Sequence, residues 1–179
     1  MMDEKKLLKL IRTVPDFPAK GVQFKDISSI LEKPEAFQYT VTKIAGFVAK
    51  NNITHIVAPD ARGFLWGAPV AIKFGLPLHI VRKKGKLPPP VRQFTYKLEY
   101  AEETLEFNEN TVFPEGSKVC IIDDVSATGG TASAMVSLCR AANAEDIYYA
   151  CVIDLTFLEG TAKLLDYCGV EAFSVLEIE

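Results

Sequence analysis

Apolar residues recur along the chain in short blocks that predict buried strands separated by amphipathic helices. The strand-length apolar runs are His55–Pro59, Leu76–Arg82, Val119–Asp124, Ile147–Leu155 and Glu171–Leu176. Helices are predicted between them, over Arg62–Phe74, Thr131–Asn143 and Leu158–Tyr167. The second keeps its apolar residues three and four positions apart, which is the spacing of one helix face. Apolar strands that alternate with helices are typical of a parallel sheet covered on both faces, so the pattern predicts an α/β fold.

The amino-terminal region departs from this alternation. A short amphipathic helix is predicted at the start of the chain, with Leu7, Leu8 and Ile11 on one face. Residues 13–29 contain two prolines and a glycine near their centre, and this composition favours an ordered loop over a core element.

Residues 83–113 also interrupt the pattern. They begin with lysines and three consecutive prolines, then give two alternating stretches, Phe94–Tyr100 and Thr104–Asn108, that predict a hairpin-like excursion. Ligands of open α/β sheets bind at the carboxyl ends of the strands. A long excursion at that edge is therefore a candidate lid.

Composition narrows the class of protein. A chain of 179 residues predicts a single domain. The net charge of −3 argues against a nucleic-acid-binding protein, which normally carries a basic excess. No apolar run approaches the roughly 20 residues that cross a bilayer, and the amino terminus lacks the features of a secretory signal. The four cysteines have no Cys-x-x-Cys spacing, so we expect buried, reduced thiols in a cytoplasmic protein and no zinc site.

The segment Val119–Thr131, VCIIDDVSATGGT, carries the clearest chemical signal. An apolar strand ends in the adjacent carboxylates Asp123 and Asp124. A tight loop with two glycines follows, and a helix begins directly after it. Glycines allow close backbone approach to a ligand, and the unpaired N–H groups of a helix amino terminus bind anions. The segment therefore predicts a phosphate site.

The acidic pair separates this loop from other phosphate-binding loops. Neither G-x-x-x-x-G-K-[ST] nor G-x-G-x-x-G occurs, which excludes the P-loop and dinucleotide fingerprints. Carboxylates next to an anion site repel the anion unless they bind another group. The natural group is a sugar diol, bound directly or through Mg²⁺, which prefers oxygen ligands. The combination predicts a site for a phosphorylated ribose.

The string IIDDVSATGGT resembles the 5-phosphoribosyl-1-pyrophosphate (PRPP) signature of type I phosphoribosyltransferases. Three further segments make the chain similar to the adenine phosphoribosyltransferases over nearly its whole length: Arg12–Ile27, Pro59–Gly67, and Arg82–Pro88 with Tyr96–Tyr100. The resemblance implies a type I phosphoribosyltransferase fold with a mainly parallel sheet flanked by helices. It further implies an amino-terminal base-binding hood over about residues 1–30 and a flexible lid over about residues 83–113.

The reaction that the resemblance implies joins adenine N9 to C1′ of PRPP, giving AMP and pyrophosphate. The family uses Mg²⁺, which we expect to be held mainly by PRPP and not by direct protein ligands. A homodimer is also expected, because Arg82 and Lys86 match positions that reach the pyrophosphate across a dimer interface in this family.

Individual roles also follow from the resemblance. The catalytic residues would be Glu99, Tyr100 and Arg62, with Glu99 as the acid–base group near adenine N7 and Tyr96 helping Tyr100 to close the site. PRPP or AMP would bind through Asp123 and Asp124 at the ribose and through Ala127, Thr128, Gly129, Gly130 and Thr131 at the 5′-phosphate. Pyrophosphate would contact Asp60, Ala61, Arg62, Arg82 and Lys86. Adenine would stack on Phe24, with the backbone of Gln23 and Lys25 reading its edge.

The sequence differs from the family pattern at four positions: Gln23, Pro89, Ala101 and Ser126. None of these differences removes a charged or phosphate-binding group. Two alternatives stay open at this stage. One is a phosphoribosyltransferase for another purine, namely hypoxanthine, guanine or xanthine. The other is a regulatory protein that senses PRPP or a nucleotide without turning it over.

Overall fold

A computed structural model describes residues 2–17, 19–97 and 102–179 of the chain. Two of the predicted catalytic residues, Glu99 and Tyr100, lie outside the described residues. The chain divides into two units, residues 1–43 and residues 44–179.

The first unit contains a short helix and a small antiparallel hairpin. Its elements are α1 (Glu4–Leu8), β1 (Arg12–Pro15), β2 (Gln23–Asp26), α2 (Ser28–Leu31) and the first part of α3 (Pro34–Lys50). The predicted loop over residues 13–29 was therefore wrong in part, because β1 and β2 pair with Val14 opposite Phe24. Asp16, at a φ of 56°, accepts a hydrogen bond from the Gly21 N–H at 2.7 Å, which helps to close the turn between the strands.

The predicted amphipathic face of the first helix is also corrected. Asp3 caps α1 by accepting a hydrogen bond from the Lys6 N–H at 2.9 Å, and the helix ends at Leu8. Leu7 is fully buried, but Leu8 is 47% exposed and Ile11 lies beyond the helix. A helix of five residues is too short to align all three side chains on one face.

The second unit is built on a seven-stranded sheet. After α3 its elements are β3 (His55–Pro59), α4 (Gly63–Phe74), β4 (Leu78–Lys83), β5 (Val91–Lys97), β6 (Glu102–Asn108), β7 (Lys118–Ser126), α5 (Gly130–Ala141), β8 (Asp146–Leu155), α6 (Gly160–Cys168) and β9 (Glu171–Ile178). The strand order is β5-β6-β4-β3-β7-β8-β9. Five neighbouring strands are parallel to one another, namely β4, β3, β7, β8 and β9. Strands β5 and β6 are antiparallel to each other, and β6 is antiparallel to β4. The predicted mainly parallel α/β sheet is confirmed.

The predicted hairpin exists, but it is part of the main sheet. Its strands run over Val91–Lys97 and Glu102–Asn108, so the first begins three residues earlier than predicted and the second begins two residues earlier, while residues 98–100 of the predicted first strand lie outside the described residues. Strand β6 also pairs with β4, with Arg82 opposite Glu106 and Lys83 opposite Leu105. The region therefore extends the sheet beyond β4 and does not simply project from it.

Helix α3 is the one long element that the sequence pattern did not predict. Thr40, Val41 and Thr42 fall in its centre, and such β-branched residues have weak helix propensity. Its apolar positions Ile44 and Val48 are nonetheless fully or almost fully buried. Burial of this face outweighs the local preference.

The core lies between the central strands and the helices that cover them. Ile121 and Ile122 of β7 are fully buried, and Met135 and Val136 of α5 are also buried. Three of the four cysteines, Cys120, Cys139 and Cys151, are buried and unpaired, as predicted, while Cys168 is partly exposed. Burial raises the pKa of the Cys139 thiol to about 12, so it stays protonated. No helix in the described part of the chain is long and apolar enough to span a membrane.

Candidate active site

Three neighbouring parallel strands end at one edge of the sheet and bring the predicted site residues together. Strand β3 lies between β4 and β7. Asp60, Ala61 and Arg62 follow β3, Arg82 lies near the end of β4, and Asp123 and Asp124 lie near the end of β7. The carboxyl ends of parallel strands form the binding edge of open α/β sheets, so this is where a ligand is expected.

The loop between β7 and α5 is held in a tight conformation by backbone contacts. Gly129 has a φ of +83°, which residues with a side chain rarely adopt. A Cβ atom on Gly129 would also lie 2.8 Å from the carbonyl oxygen of Gly160, at the start of α6. A Cβ atom on Gly160 would in turn collide with the carbonyl oxygen of Ala127. Two glycine backbones therefore pack against each other and fix the loop.

This loop opens onto the amino terminus of α5. Gly129 occupies the N-cap position and has no side chain that could accept hydrogen bonds from the first N–H groups of the helix. A cavity lies at this point, lined by residues 127–131 and reaching Asp123 and Tyr149. Free N–H groups and the positive end of the helix dipole make this cavity suitable for a phosphate.

The two carboxylates beside the loop are almost completely buried. Asp123 is 8% exposed and Asp124 is 4% exposed. The Asp124 N–H donates to Asp123 Oδ1 at 2.8 Å. Burial, and then the neighbouring charge of Asp124, raise the pKa of the Asp123 carboxyl well above its usual value. The pair therefore has a strong tendency to bind a proton, a cation or a donor such as a sugar hydroxyl.

Arg62 partly offsets this negative charge. Its Nε atom lies 2.8 Å from Asp124 Oδ2, and the Arg62 side chain is 42% exposed. The backbone between Pro59 and α4 is tightly packed, because a Cβ atom on Gly63 would lie 2.9 Å from the carbonyl oxygen of Ile122 in β7. Arg62 is thereby held between the two strands and next to the acidic pair.

A second ion pair organises the predicted pyrophosphate residues. Arg82 Nε lies 3.0 Å from Asp60 Oδ2, and Arg82 Nη1 donates to the carbonyl oxygen of Lys86 at 3.1 Å. The buried Glu106 accepts a hydrogen bond from the Gly85 N–H at 2.9 Å, which anchors the turn before Lys86. Asp60, Arg82 and Lys86 are thus linked within one chain.

The acidic pair carries the donor atoms of a metal site. Carboxylate oxygens are the ligands that Mg²⁺ prefers, and Asp123 and Asp124 supply them. Within residues 2–17, 19–97 and 102–179, however, no group of three or more His, Cys, Asp or Glu side chains is arranged to hold a metal.

The predicted base-binding residues lie together on strand β2 of the first unit. The rings of Phe24 and Phe17 meet edge to face, with centroids 5.1 Å apart. Lys25 Nζ donates to Thr13 Oγ1 at 3.0 Å, across the β1–β2 pair. Gln23 is exposed and Phe24 is partly exposed.

Three residues near the site were not identified from the sequence. Glu106 lies between the buried apolar residues Leu105 and Phe107. An acidic residue within such an apolar stretch could have been recognised from the sequence as a candidate. Glu103 contacts Tyr96, and Gly160 packs behind the phosphate loop. The contact of Glu103 depends on the register of the β5–β6 hairpin, and that of Gly160 joins segments about thirty residues apart, so no local pattern marks either residue.

The chain is similar to known proteins in both sequence and fold. Residues 26–167 match the family described as Phosphoribosyl transferase domain. An adenine phosphoribosyltransferase of Clostridium acetobutylicum is 44% identical over 157 residues, which cover 88% of this chain and 91% of that protein. The crystal structure of the enzyme from Thermoanaerobacter pseudethanolicus has a TM-score of 0.90 at 38% identity, covering 97% of this chain and 99% of its own. The Giardia lamblia enzyme complexed with 9-deazaadenine has a TM-score of 0.93 at 35% identity, covering 100% and 99%.

The chain therefore belongs to the phosphoribosyltransferase family. Within that family, its relatives over nearly the full length are adenine phosphoribosyltransferases. The resemblance that the sequence motifs indicated is confirmed.

Proposed function

We propose that this protein transfers the 5-phosphoribosyl group from PRPP to adenine N9, giving AMP and pyrophosphate. The observation that carries the proposal is the open amino terminus of α5 beside the Asp123–Asp124 pair, with Arg62 bound to Asp124. A phosphate, a sugar diol and a second anionic group can be bound there at once. The similarity to an enzyme that binds the adenine analogue 9-deazaadenine supports adenine as the base.

The ribose 5-phosphate half of PRPP is assigned to the end of β7. The backbone of residues 127–131 and the hydroxyls of Thr128 and Thr131 bind the 5′-phosphate. Asp123 and Asp124 accept hydrogen bonds from the ribose hydroxyls. These contacts place C1′ at the edge of the sheet, where positive charge that develops on the ribose is stabilised by the two carboxylates.

The pyrophosphate half is assigned to the loop after β3 and to the end of β4. Arg62 offers a planar donor pair that matches a phosphate, and the backbone at Asp60 and Ala61 approaches the same group. Arg82 and Lys86 supply further positive charge. Cleavage of the C1′–O bond develops negative charge on the leaving pyrophosphate, so these cations stabilise the transition state more than the ground state.

Glu99 and Tyr100 are assigned to the base. Protonated Glu99 interacts with adenine N7, and Tyr100 closes the site over the base. A carboxyl group that protonates a base needs a pKa above its ordinary value, which burial away from water can provide. The support for both assignments is the Leu98–Tyr100 motif in the sequence.

Adenine is assigned to the β1–β2 hairpin. The partly exposed ring of Phe24 offers a stacking surface, and the N–H and C=O groups of Gln23 and Lys25 can read the edge of a purine. Reading through the backbone depends little on side-chain identity, so Gln23 is compatible with adenine.

Mg²⁺ is part of the proposal as an ion that arrives with PRPP. Its chemistry when bound is to neutralise phosphate charge. Asp123 and Asp124 are the residues of this chain that would face it. Their burial and their mutual repulsion favour such a cation.

A homodimer is also proposed, on the basis of an exposed apolar face on β4. Leu78 and Ile80 are 36% and 39% exposed, and Arg82 follows them on the same side of the strand because side chains alternate. Leu65 and Ile72 of α4 are also exposed, at 41% and 81%. A second copy seated on this face would cover the apolar residues and receive Arg82 near its own site.

A reducing, cytoplasmic setting suits the four unpaired cysteines.

The proposal is tested by measuring pyrophosphate release from PRPP with adenine, hypoxanthine, guanine or xanthine. We expect release with adenine and little with the 6-oxo purines. Release with hypoxanthine but not adenine would overturn the choice of base. Tight PRPP binding with no turnover of any base would instead favour a sensor of PRPP.

A further inference from the structure

Tyr96 connects the phosphate loop to the hairpin of β5 and β6. Its hydroxyl donates to Glu103 Oε2 at 2.8 Å and lies 3.0 Å from the hydroxyl oxygen of Thr131. Glu103 is directly opposite Tyr96 in the antiparallel pair. The other oxygen of Glu103, Oε1, accepts from Lys83 Nζ on β4 at 2.8 Å. Four side chains therefore form one chain of hydrogen bonds that begins in the phosphate cavity.

The pKa values of Glu103 and Tyr96 indicate which groups in this series of hydrogen bonds can donate. The hydrogen bond from Lys83 lowers the pKa of the Glu103 carboxyl, so it is ionised and can only accept. Burial raises the pKa of Tyr96 to about 12, so its hydroxyl keeps its hydrogen at neutral pH. Lys83 only donates. The directions of the remaining bonds follow from counting hydrogens.

Each of the two hydroxyls has one hydrogen to give. Tyr96 gives its hydrogen to the Glu103 carboxylate, so the Tyr96–Thr131 contact is a hydrogen bond only if Thr131 donates to the Tyr96 oxygen. In this state the Thr131 hydrogen points away from the phosphate cavity that Thr131 lines.

An anion in the cavity changes this arrangement. A phosphate oxygen only accepts, so it competes with Tyr96 for the single Thr131 hydrogen. If Thr131 donates to the phosphate, it can keep its contact with Tyr96 only by accepting from it. Tyr96 must then release Glu103. Occupation of the cavity is thus linked to the bond across the hairpin.

We propose that Tyr96 is a positioning residue of the phosphate site, whose hydroxyl hydrogen passes from Glu103 to Thr131 when a phosphate binds. In the bound state Tyr96 donates to Thr131 and Thr131 donates to the phosphate. Glu103 then keeps only its hydrogen bond from Lys83. This deepens the proposed function, on which it rests, because it assumes that residues 127–131 hold the 5′-phosphate. Glu103 then competes with Thr131 for the hydroxyl hydrogen of Tyr96, although Glu103 lies outside the cavity.

The test is calorimetric titration of ribose 5-phosphate into the wild-type chain and three variants. Tyr96→Phe removes the acceptor that competes with phosphate for the Thr131 hydrogen, so Thr131 can donate to the phosphate without losing another bond, and binding should strengthen by about threefold to tenfold. Glu103→Gln should strengthen binding by a similar factor, since Lys83 holds the amide oxygen and the amide NH₂ faces Tyr96. Tyr96 then has no acceptor except Thr131. In the double variant, Glu103→Gln should add nothing to the effect of Tyr96→Phe.

Glu102→Gln is the matched control, because it makes the same change of charge at the neighbouring exposed position. It should bind ribose 5-phosphate as the wild type does. If Glu103→Gln acts equally with Tyr96 or Phe at position 96, the effect is one of charge alone and the coupling is wrong. If the wild-type chain does not bind ribose 5-phosphate, the phosphate-site assignment of the proposed function fails as well.

Discussion

Arg62 and Asp124 form an ion pair across the edge of the sheet, with Nε and Oδ2 2.8 Å apart. The two residues are assigned to different halves of PRPP, Arg62 to the pyrophosphate and Asp124 to the ribose. Without substrate they neutralise each other. Under these assignments PRPP exchanges this internal pair for contacts with the substrate, and Arg62 is the more exposed of the two partners. The free energy needed to open the Arg62–Asp124 pair therefore lowers the net affinity for the substrate.

Asp124→Asn tests the role of the acidic pair. The change keeps the shape of the side chain and removes its charge, so the fold should lose little. A charge-assisted hydrogen bond contributes about 1.5–3 kcal/mol, so kcat/KM for PRPP should fall by roughly 10- to 150-fold. Steady-state kinetics and a thermal melt measure the two effects. Asp146→Asn, on the exposed start of β8, is the control and should change neither. Wild-type kcat/KM in Asp124→Asn would show that the pair does not bind the ribose.

Glu99→Gln tests the proposed acid–base group. A glutamine cannot give up a proton, so kcat should fall by about 10²- to 10⁴-fold. Binding of PRPP should be unchanged, because Glu99 is assigned to the base. Glu109→Gln, at an exposed position just beyond β6, serves as the control for the loss of one negative charge. An unchanged kcat would remove Glu99 from the chemistry.

The sequence predicted the parallel strands and the strand–turn–helix conformation of Val119–Thr131 correctly because both are local features, whereas the binding of phosphate there stays a prediction. The run from Val119 and the two glycines specify strand, turn and helix within thirteen residues. The ion pairs Arg62–Asp124 and Arg82–Asp60 could not be predicted, because each joins residues that only the strand order brings together. Helix α3 was missed because its burial overrides weak local propensity.

Gly160→Ala tests the packing behind the phosphate loop. The added methyl group would meet the Ala127 carbonyl and approach the Gly129 nitrogen within 2.9 Å, so the loop must move. We expect KM for PRPP to rise by tenfold or more and the free energy of unfolding to fall by about 1–3 kcal/mol. Gly46→Ala is the control, since a Cβ atom there meets no atom within 4 Å and alanine favours the helix. Normal PRPP affinity in Gly160→Ala would show that the loop is not held by this contact.

His55 and His79 predict a pH dependence of stability. Their rings stack with centroids 5.6 Å apart, and Phe113 meets both edge to face. Burial lowers the pKa of both imidazoles in the folded state. The unfolded chain therefore binds more protons as the pH falls below about 6.5, and the folded state loses stability there. Above that pH the two histidines are mainly neutral in both the folded and the unfolded chain, so they no longer lower the free energy of unfolding.

Urea unfolding at pH 7.5 and pH 5.5 measures this contribution. The loss of stability on acidification should be smaller in His79→Phe than in the wild type. Asp123 acts in the opposite direction, because its raised pKa favours the folded state at lower pH. It is present in both proteins, so the difference between them isolates the histidine. Equal losses in the two proteins would exclude His79 as a cause.

Mixed dimers test whether Arg82 serves the site of a second copy. In its own chain Arg82 contacts Asp60, yet it follows the exposed Leu78 and Ile80 on one face of β4. Arg82→Ala and Asp124→Asn should each keep about a tenth of wild-type activity or less at low PRPP concentration. If Arg82 acts across the interface, a mixed dimer contains one intact site, formed by the Arg82→Ala chain and the Arg82 of its partner. Random mixing should then restore about one quarter of wild-type activity, since half of the dimers are mixed.

The control mixture combines Asp123→Asn with Asp124→Asn, which damage the same site and should restore nothing. Sedimentation of each variant checks that dimers form. If Arg82→Ala mixed with Asp124→Asn gives no more than the average of the two parents, no intact site has formed. Arg82 then acts within its own chain, as its contact with Asp60 would allow, and the exposed face of β4 has no role in completing the site.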